Sequence, residues 1–151
     1  YLKEKGSTWF EITTLLIPGE NDSDDELHQS SQWIAENLGP DVPWHFSAFH
    51  PAYRLQSIGR TQLHTLQRAR RIAHEYGIRH VYTGNVTDID GDTTYCHDCQ
   101  APLIVRDWYE LVEWNLGPAG QCTQCGSSCA GVFEAQPGQW GRKRKALRMA
   151  P

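Results

Sequence analysis

Pro43-Trp-His-Phe-Ser-Ala-Phe-His50, followed at once by Pro51, is a β-prone run set between two stretches of helical periodicity. Pro51 removes a backbone donor and ends the strand. Before it, Ser23-Asp-Asp-Glu26 forms a capping box, and Leu27, Ile34 and Leu38 recur at the spacing of one helical face up to Gly39-Pro40. After it, a loop through Tyr53, Arg54 and Gly59 leads to Thr61, read as the cap of a second helix whose Leu63, Leu66, Ala69, Ala73 and Tyr76 share a side before Gly77 closes it.

Strand-like runs flank these helices. Trp9-Phe-Glu-Ile-Thr-Thr-Leu-Leu-Ile17 lacks clean alternation, as expected of a strand buried on both faces, and Pro18-Gly19 stops it. Ile78-Arg-His-Val-Tyr-Thr83 is a third short strand, left through Gly84-Asn85. The order β-α-β-α-β, with crossovers of this length, dictates parallel pairing and right-handed connections. The fold class is therefore α/β. Three strands cannot close a barrel. Tyr1 to Gly6 reads as the last turn of a helix with a C-cap glycine, so the chain is expected to be the second half of an α/β barrel whose first half precedes Tyr1.

A different chemistry begins at Cys96-His-Asp-Cys99, which is answered twenty-two residues later by Cys122-Thr-Gln-Cys125. Two such pairs at this separation supply four soft ligands for a closed tetrahedral site, the arrangement of a zinc ribbon. Gly126 suits the turn after the second pair, Asp107-Trp108 bends the β-rich arms between the pairs, and Val112, Trp114 and Leu116 alternate as in a half-buried strand. Chance disulfides or reduced cysteines are the alternative. Cys129 is left over. It makes Cys122-x-x-Cys125-x-x-x-Cys129, three corners of an iron-sulfur cluster, but that reading strands Cys96 and Cys99, and zinc is preferred. Cys129 is then a small apolar side chain. The expected domains are residues 1–88 (barrel portion), 89–140 (ribbon) and 141–151 (basic tail).

The formal net charge of -4 argues against a general nucleic-acid binder, and Arg142-Lys143-Arg144-Lys145 reads as a solvated basic terminus. No apolar run approaches the ~20 residues that span a bilayer, so no membrane partner is expected. Cysteines arranged for metal point to a reducing, cytoplasmic setting.

Active sites of parallel α/β folds gather at the carboxyl ends of the strands. His50 lies at such an end, where it either bonds a ligand or serves as a satisfied structural group. Asn21, Tyr53, Arg54 and Asn85 are polar candidates for the same rim, with loop capping as the alternative. His45 and Phe49 share one face of the strand and Phe46 and His50 the other, with nothing to say which is inward. Asp88-Ile-Asp90-Gly-Asp92 crowds three carboxylates but lacks the glycine and glutamate positions of a calcium loop, and it is read as a linker turn. No phosphate loop, nucleophile elbow or His-Glu-x-x-His motif occurs, so no self-sufficient catalytic set is expected.

Leu16-Ile-Pro-Gly-Glu-Asn-Asp22, Trp44-His-Phe-Ser-Ala-Phe-His-Pro51, Arg68-Ala-Arg-Arg-Ile-Ala73, Val81-Tyr-Thr-Gly-Asn85 and Thr94-Tyr-Cys-His-Asp-Cys99 together resemble the carboxyl-terminal half of the radical SAM enzymes of the AmmeMemoRadiSam system, relatives of pyruvate formate-lyase activating enzymes. The resemblance covers essentially the whole chain. It implies a partial (β/α) barrel that binds S-adenosylmethionine and a [4Fe-4S] cluster, generates a 5′-deoxyadenosyl radical and ends in a zinc-ribbon-like tail. The partners it implies are the missing amino-terminal half and a protein substrate or Memo-like protein. His50 matches the activating-enzyme histidine beside the cofactor. The Cys-x-x-x-Cys-x-x-Cys motif that holds the cluster is expected upstream, and the fragment alone is expected to be inactive. Thr13 stands where those enzymes carry a cofactor-contacting arginine, and Gln62 where relatives tend to place proline. The alternative function is a zinc-ribbon module that docks a protein or nucleic-acid partner.

Overall fold

The computed structural model describes residues 8–138. The readings of Tyr1 to Gly6 as a helix end and of Arg142 to Lys145 as a solvated tail lie outside the described residues. The chain divides into two compact units between Gly91 and Asp92.

In the first unit, β1 (Ile12–Leu16), β2 (Trp44–Ala48) and β3 (Val81–Gly84) form a three-stranded parallel sheet in sequential order. The crossovers are α1 (Asp24–Asn37) and α2 (Leu63–Glu75). Ser23 caps α1: its hydroxyl accepts the Glu26 N–H and donates to the Glu26 carboxylate at 3.0 Å. Gly39 and Gly77 follow the two helices at φ 81° and 80°, the left-handed conformation that an L side chain resists.

Both helices pack on one face of the sheet. Leu27 and Ile34 of α1, with Leu66, Ala69, Ile72 and Ala73 of α2, cover Leu16, Trp44, Phe46, Ala48 and Val81. The alternation along β2 is thereby resolved, because Trp44, Phe46 and Ala48 are buried while His45 and Ser47 are half-buried on the opposite face. The β1 expectation is corrected: Ile12–Leu16 pairs only with β2 and is half-exposed, with Leu15 at 44%. The helices cover one face of the sheet only, so Thr13 and Leu15, which point to the other face, stay exposed.

The helix-free face is polar. Register sets Thr13, His45 and Tyr82 in one row and Leu15, Ser47 and Gly84 in the next. His45 stacks on Tyr82 with ring centroids 5.0 Å apart, and its Nε2 lies 2.7 Å from the Glu11 carboxylate.

Thr61 also departs from expectation. The residue that caps α2 is Gln62, which contributes no side-chain bond, whereas Thr61 is fully buried. The Thr61 hydroxyl donates to the Leu16 carbonyl at 2.5 Å and accepts the Phe49 N–H at 2.9 Å, and its own N–H donates to the Phe49 carbonyl at 3.0 Å. One side chain thus joins the carboxyl ends of β1 and β2 to the start of α2. The linker reading of Asp88 to Asp92 is refined to a short helix, α3 (Ile89–Asp92). Its carboxylates have protein partners: Asp88 accepts the Thr83 hydroxyl at 3.0 Å, and Asp90 pairs with Arg70 at 2.8 Å.

The second unit is an antiparallel sheet of β4 (Thr94–Tyr95), β5 (Pro102–Asp107) and β6 (Glu110–Trp114). Trp108, at φ 57°, makes the β5–β6 turn after Asp107, where the sequence places it. Val112 is corrected, being 60% exposed, and only Trp114 and Leu116 of the alternating trio reach the core. The hairpin outruns the small core beneath it. No helix among the described residues is long and apolar enough to cross a membrane.

Thr61→Val, which keeps the shape and deletes the hydroxyl, leaves the buried Leu16 carbonyl and Phe49 N–H without that partner, and should cost about 1–3 kcal/mol of stability. Thr61→Ser retains both bonds and should lie much closer to the parent. Urea unfolding of the three proteins checks the order.

Candidate metal centre

Each cysteine pair sits in a turn closed by the same two backbone bonds. In the first, the Cys96 N–H donates to the Ala101 carbonyl at 2.9 Å and the Gln100 N–H to the Cys96 carbonyl at 3.0 Å. In the second, the Cys122 N–H donates to the Ser127 carbonyl at 2.8 Å and the Gly126 N–H to the Cys122 carbonyl at 2.9 Å. The residue after each second cysteine has positive φ, 59° at Gln100 and 83° at Gly126. Both Cys-x-x-Cys pairs are therefore tight knuckles of one design, and Gly126 holds the place the sequence reading gave it. Glycine adopts that conformation without strain, whereas Gln100 tolerates it at some cost.

The knuckles face each other. The Cys96 and Cys125 sulfurs are 3.5 Å apart and those of Cys99 and Cys122 are 3.7 Å apart, and all four Sγ atoms lie within 4.8 Å of one another. A disulfide requires about 2.05 Å. A tetrahedron of thiolates about 2.3 Å from zinc has edges of roughly 3.8 Å, so this donor set fits a zinc-sized soft ion. The cysteines are free thiols, and Cys96, Cys99, Cys122 and Cys125 form the one such ligand group among the described residues.

Cys129 stands apart from that group. It is buried in the small core with Leu103, Ile104, Leu116 and Phe133, and its sulfur lies 3.7 Å from the Ala130 carbonyl. The three-cornered cluster alternative is thus not assembled, and Cys129 packs as an apolar side chain. Gly120 makes room for this core: at φ 74°, a Cβ there would come 2.5 Å from the Phe133 ring.

The four thiols are unequal. Cys96 and Cys122 are 1% and 2% exposed, Cys99 is intermediate, and Cys125 is exposed. The contact with the Ser127 side chain, 3.4 Å away, and then the bond from its backbone pull the Cys125 thiol down to about 6. At Cys99 a backbone bond from Ala101 also pulls down, but desolvation and hydrogen bonds with Cys125, Cys96 and Cys122 outweigh it and push that thiol up to about 12. Four thiols crowded together resist full ionisation; a divalent cation supplies the compensating charge. Around them, Ser127 donates to the Asp98 carboxylate, whose other oxygen lies 3.3 Å from His97 Nε2. Asp98 and Ser127 are absent from the sequence-based candidates, because no local motif marks a pair 29 positions apart.

The other candidate residues lie in the first unit. His50 is two residues past β2 and exposed, with Nδ1 3.1 Å from the Pro51 carbonyl. Asn21 accepts the Ile17 N–H at 2.7 Å and donates to the Leu15 carbonyl at 3.0 Å, and Asn85, at φ 60°, donates to the Ser47 hydroxyl at 2.9 Å. Tyr53 is 80% exposed at φ 49°, with the Arg54 guanidinium 5.2 Å from its ring centre. Asn21 thus binds the end of its own strand and Asn85 that of the neighbouring β2, the loop-capping alternative. Thr13 is exposed on the helix-free face in register with His45.

The chain is similar to an uncharacterized protein of Methanocaldococcus jannaschii, with 39% identity over 126 residues. The match takes in 83% of this chain but 38% of that protein, so the chain spans well under half the length of the relative. No family model matches the chain, and no solved structure matches it.

Protein purified under reducing conditions should carry about one zinc per chain. Cys96→Ser or Cys122→Ser should abolish tight binding and unfold the second unit, because metal binding and folding of so small a core are coupled. Cys129→Ser should keep the metal. Elemental analysis with circular dichroism before and after chelation checks all three.

Proposed function

We propose that the chain is the carboxyl-terminal part of a radical SAM enzyme of the activating-enzyme kind, a portion of a partial (β/α) barrel followed by a zinc-binding ribbon. The observation that carries this reading is the one-sided sheet. Strands in sequential order with both crossover helices on one face curl toward the bare face, whereas doubly wound sheets reverse order and cover both faces with helices. The bare face here carries Glu11, Thr13, His45, Ser47 and Tyr82 beside the apolar side chain of Leu15, a mostly polar surface suited to a lumen that holds a polar ligand. The sequence resemblance and the greater length of the archaeal relative agree with further barrel strands outside this chain.

On this reading β1 lines the gap that earlier strands fill, and His50 stands at the barrel mouth. Its Nδ1 is occupied by the Pro51 carbonyl and its Nε2 has no protein partner among the described residues, which leaves one ring nitrogen for S-adenosylmethionine. When bound, S-adenosylmethionine and a [4Fe-4S] cluster supply reductive cleavage to a 5′-deoxyadenosyl radical. The cysteines of this chain belong to the ribbon, so the cluster's ligands are assigned to the upstream part. The setting is cytoplasmic, and the partner is a protein substrate or Memo-like protein.

A second reading has its own observation. At the tip of the β5–β6 hairpin, Trp108, Tyr109 and Val112 are 47%, 73% and 60% exposed, an apolar tip suited to docking a protein. Glu110 and Glu113 beside it disfavour nucleic acid.

The full-length protein, reconstituted with iron and sulfide, should release 5′-deoxyadenosine on reduction, and the 151-residue chain should release none. His50→Ala should weaken S-adenosylmethionine binding by about 0.5–1.5 kcal/mol with cluster content unchanged. His64→Ala, on the exposed side of α2, is the comparison. No 5′-deoxyadenosine from the reconstituted protein would leave the ribbon as the working part.

A further inference from the structure

The two knuckles repeat each other with an offset of 26 residues, and this internal repeat shows where they differ. Cys96, Cys99 and Gln100 answer to Cys122, Cys125 and Gly126, and the closing bonds match pair by pair. Three other positions break the repeat, His97 opposite Thr123 and two more. Asp98 stands opposite Gln124, and Ser127 opposite Ala101. These two odd residues are bonded to each other: Ser127 Oγ donates to the Asp98 carboxylate, from one knuckle to the other. The same Ser127 Oγ lies 3.4 Å from Cys125 Sγ. Cys125 is the exposed corner of the four, the side from which a competing ligand reaches the ion, since Cys96 and Cys122 are almost wholly covered.

We propose that the Asp98–Ser127 pair is a latch on the metal centre: it ties the knuckles together at the Cys125 corner and so sets the rate at which the ion is released. This rests on the four-cysteine zinc reading. Release begins where a thiolate can swing away from the ion, and Cys125, the most exposed of the four, has the most room. The Ser127 backbone N–H bonds the Cys125 sulfur, and the bond from Ser127 Oγ to Asp98 ties that residue to the opposite knuckle. The first knuckle needs no counterpart, because Cys99, the thiol that mirrors Cys125, is packed against the small core, which is consistent with Ala101 at the mirrored position. Asp98 and Ser127 are positioning residues, and neither is a ligand. Partners of this kind typically alter metal affinity by about 10–100-fold when removed.

The test is the rate at which zinc-loaded protein surrenders its ion to a chromogenic chelator in excess. Ser127→Ala and Asp98→Ala should each release zinc roughly tenfold faster or more, and the double variant no faster than the quicker single, because both substitutions open the same latch. Ser127→Thr and Asp98→Asn keep a donor and an acceptor and should stay near the parent. Cobalt-loaded samples should retain the four-thiolate charge-transfer absorption in every variant, showing that ligation is intact and only release has changed. Parent-like release from both alanine variants would overturn the latch, as would additive acceleration in the double variant or loss of a thiolate from the cobalt spectrum. A parent protein that takes up neither zinc nor cobalt would overturn the metal reading itself, a distinct outcome.

Discussion

A right-handed crossover that returns each strand to the same side of its predecessor places every helix on one face of the sheet. That constraint organises the first unit. With α1 and α2 on the same side, the strands bury Trp44, Phe46, Ala48 and Val81 beneath the helices and turn His45, Ser47 and Tyr82 the other way. The polar character of that second face follows from its having no helix to cover it. Thr61 holds the arrangement at the strand ends, where a fully buried hydroxyl and N–H satisfy backbone groups that no ladder bond reaches.

The second unit works under the opposite economy. Its core comprises a few side chains, among them Leu103, Ile104, Leu116 and three of the five cysteines. Such a core is too small to offset chain entropy without help, and an ion held by the four cysteines would supply it. The matching knuckle bonds hold the two cysteines of each turn in the same relation to each other, so the two turns present like pairs of thiols to a common ligand.

Much of this was legible in the sequence because it depends on neighbours in the chain. The Ser23–Glu26 box, the glycines after each helix and both cysteine pairs are local devices, and they appear where their spacing puts them. What failed depends on distant partners. A threonine before a helix reads as a cap, yet Thr61 found Leu16 and Phe49, residues 45 and 12 positions away. An apolar run reads as doubly buried, yet helices cover only one face of β1. Val112 alternates correctly but projects beyond its core. Asp98 and Ser127 carried no recognisable motif; only the folded pairing of two distant turns brings them together.

The open side of β1 has a consequence for handling the molecule. The segment Ile12–Leu16 is uncharged and free of proline, and its outer backbone groups have no ladder partner among the described strands. Natural sheets blunt such margins with lysine, proline or a bulge, and an unblunted one is a template for adding strands. Preparations of this chain at high concentration will tend to self-associate through that margin, and a charge placed at Thr13 or Leu15, which are both exposed, is the substitution that keeps the solution monodisperse while leaving the packed face untouched.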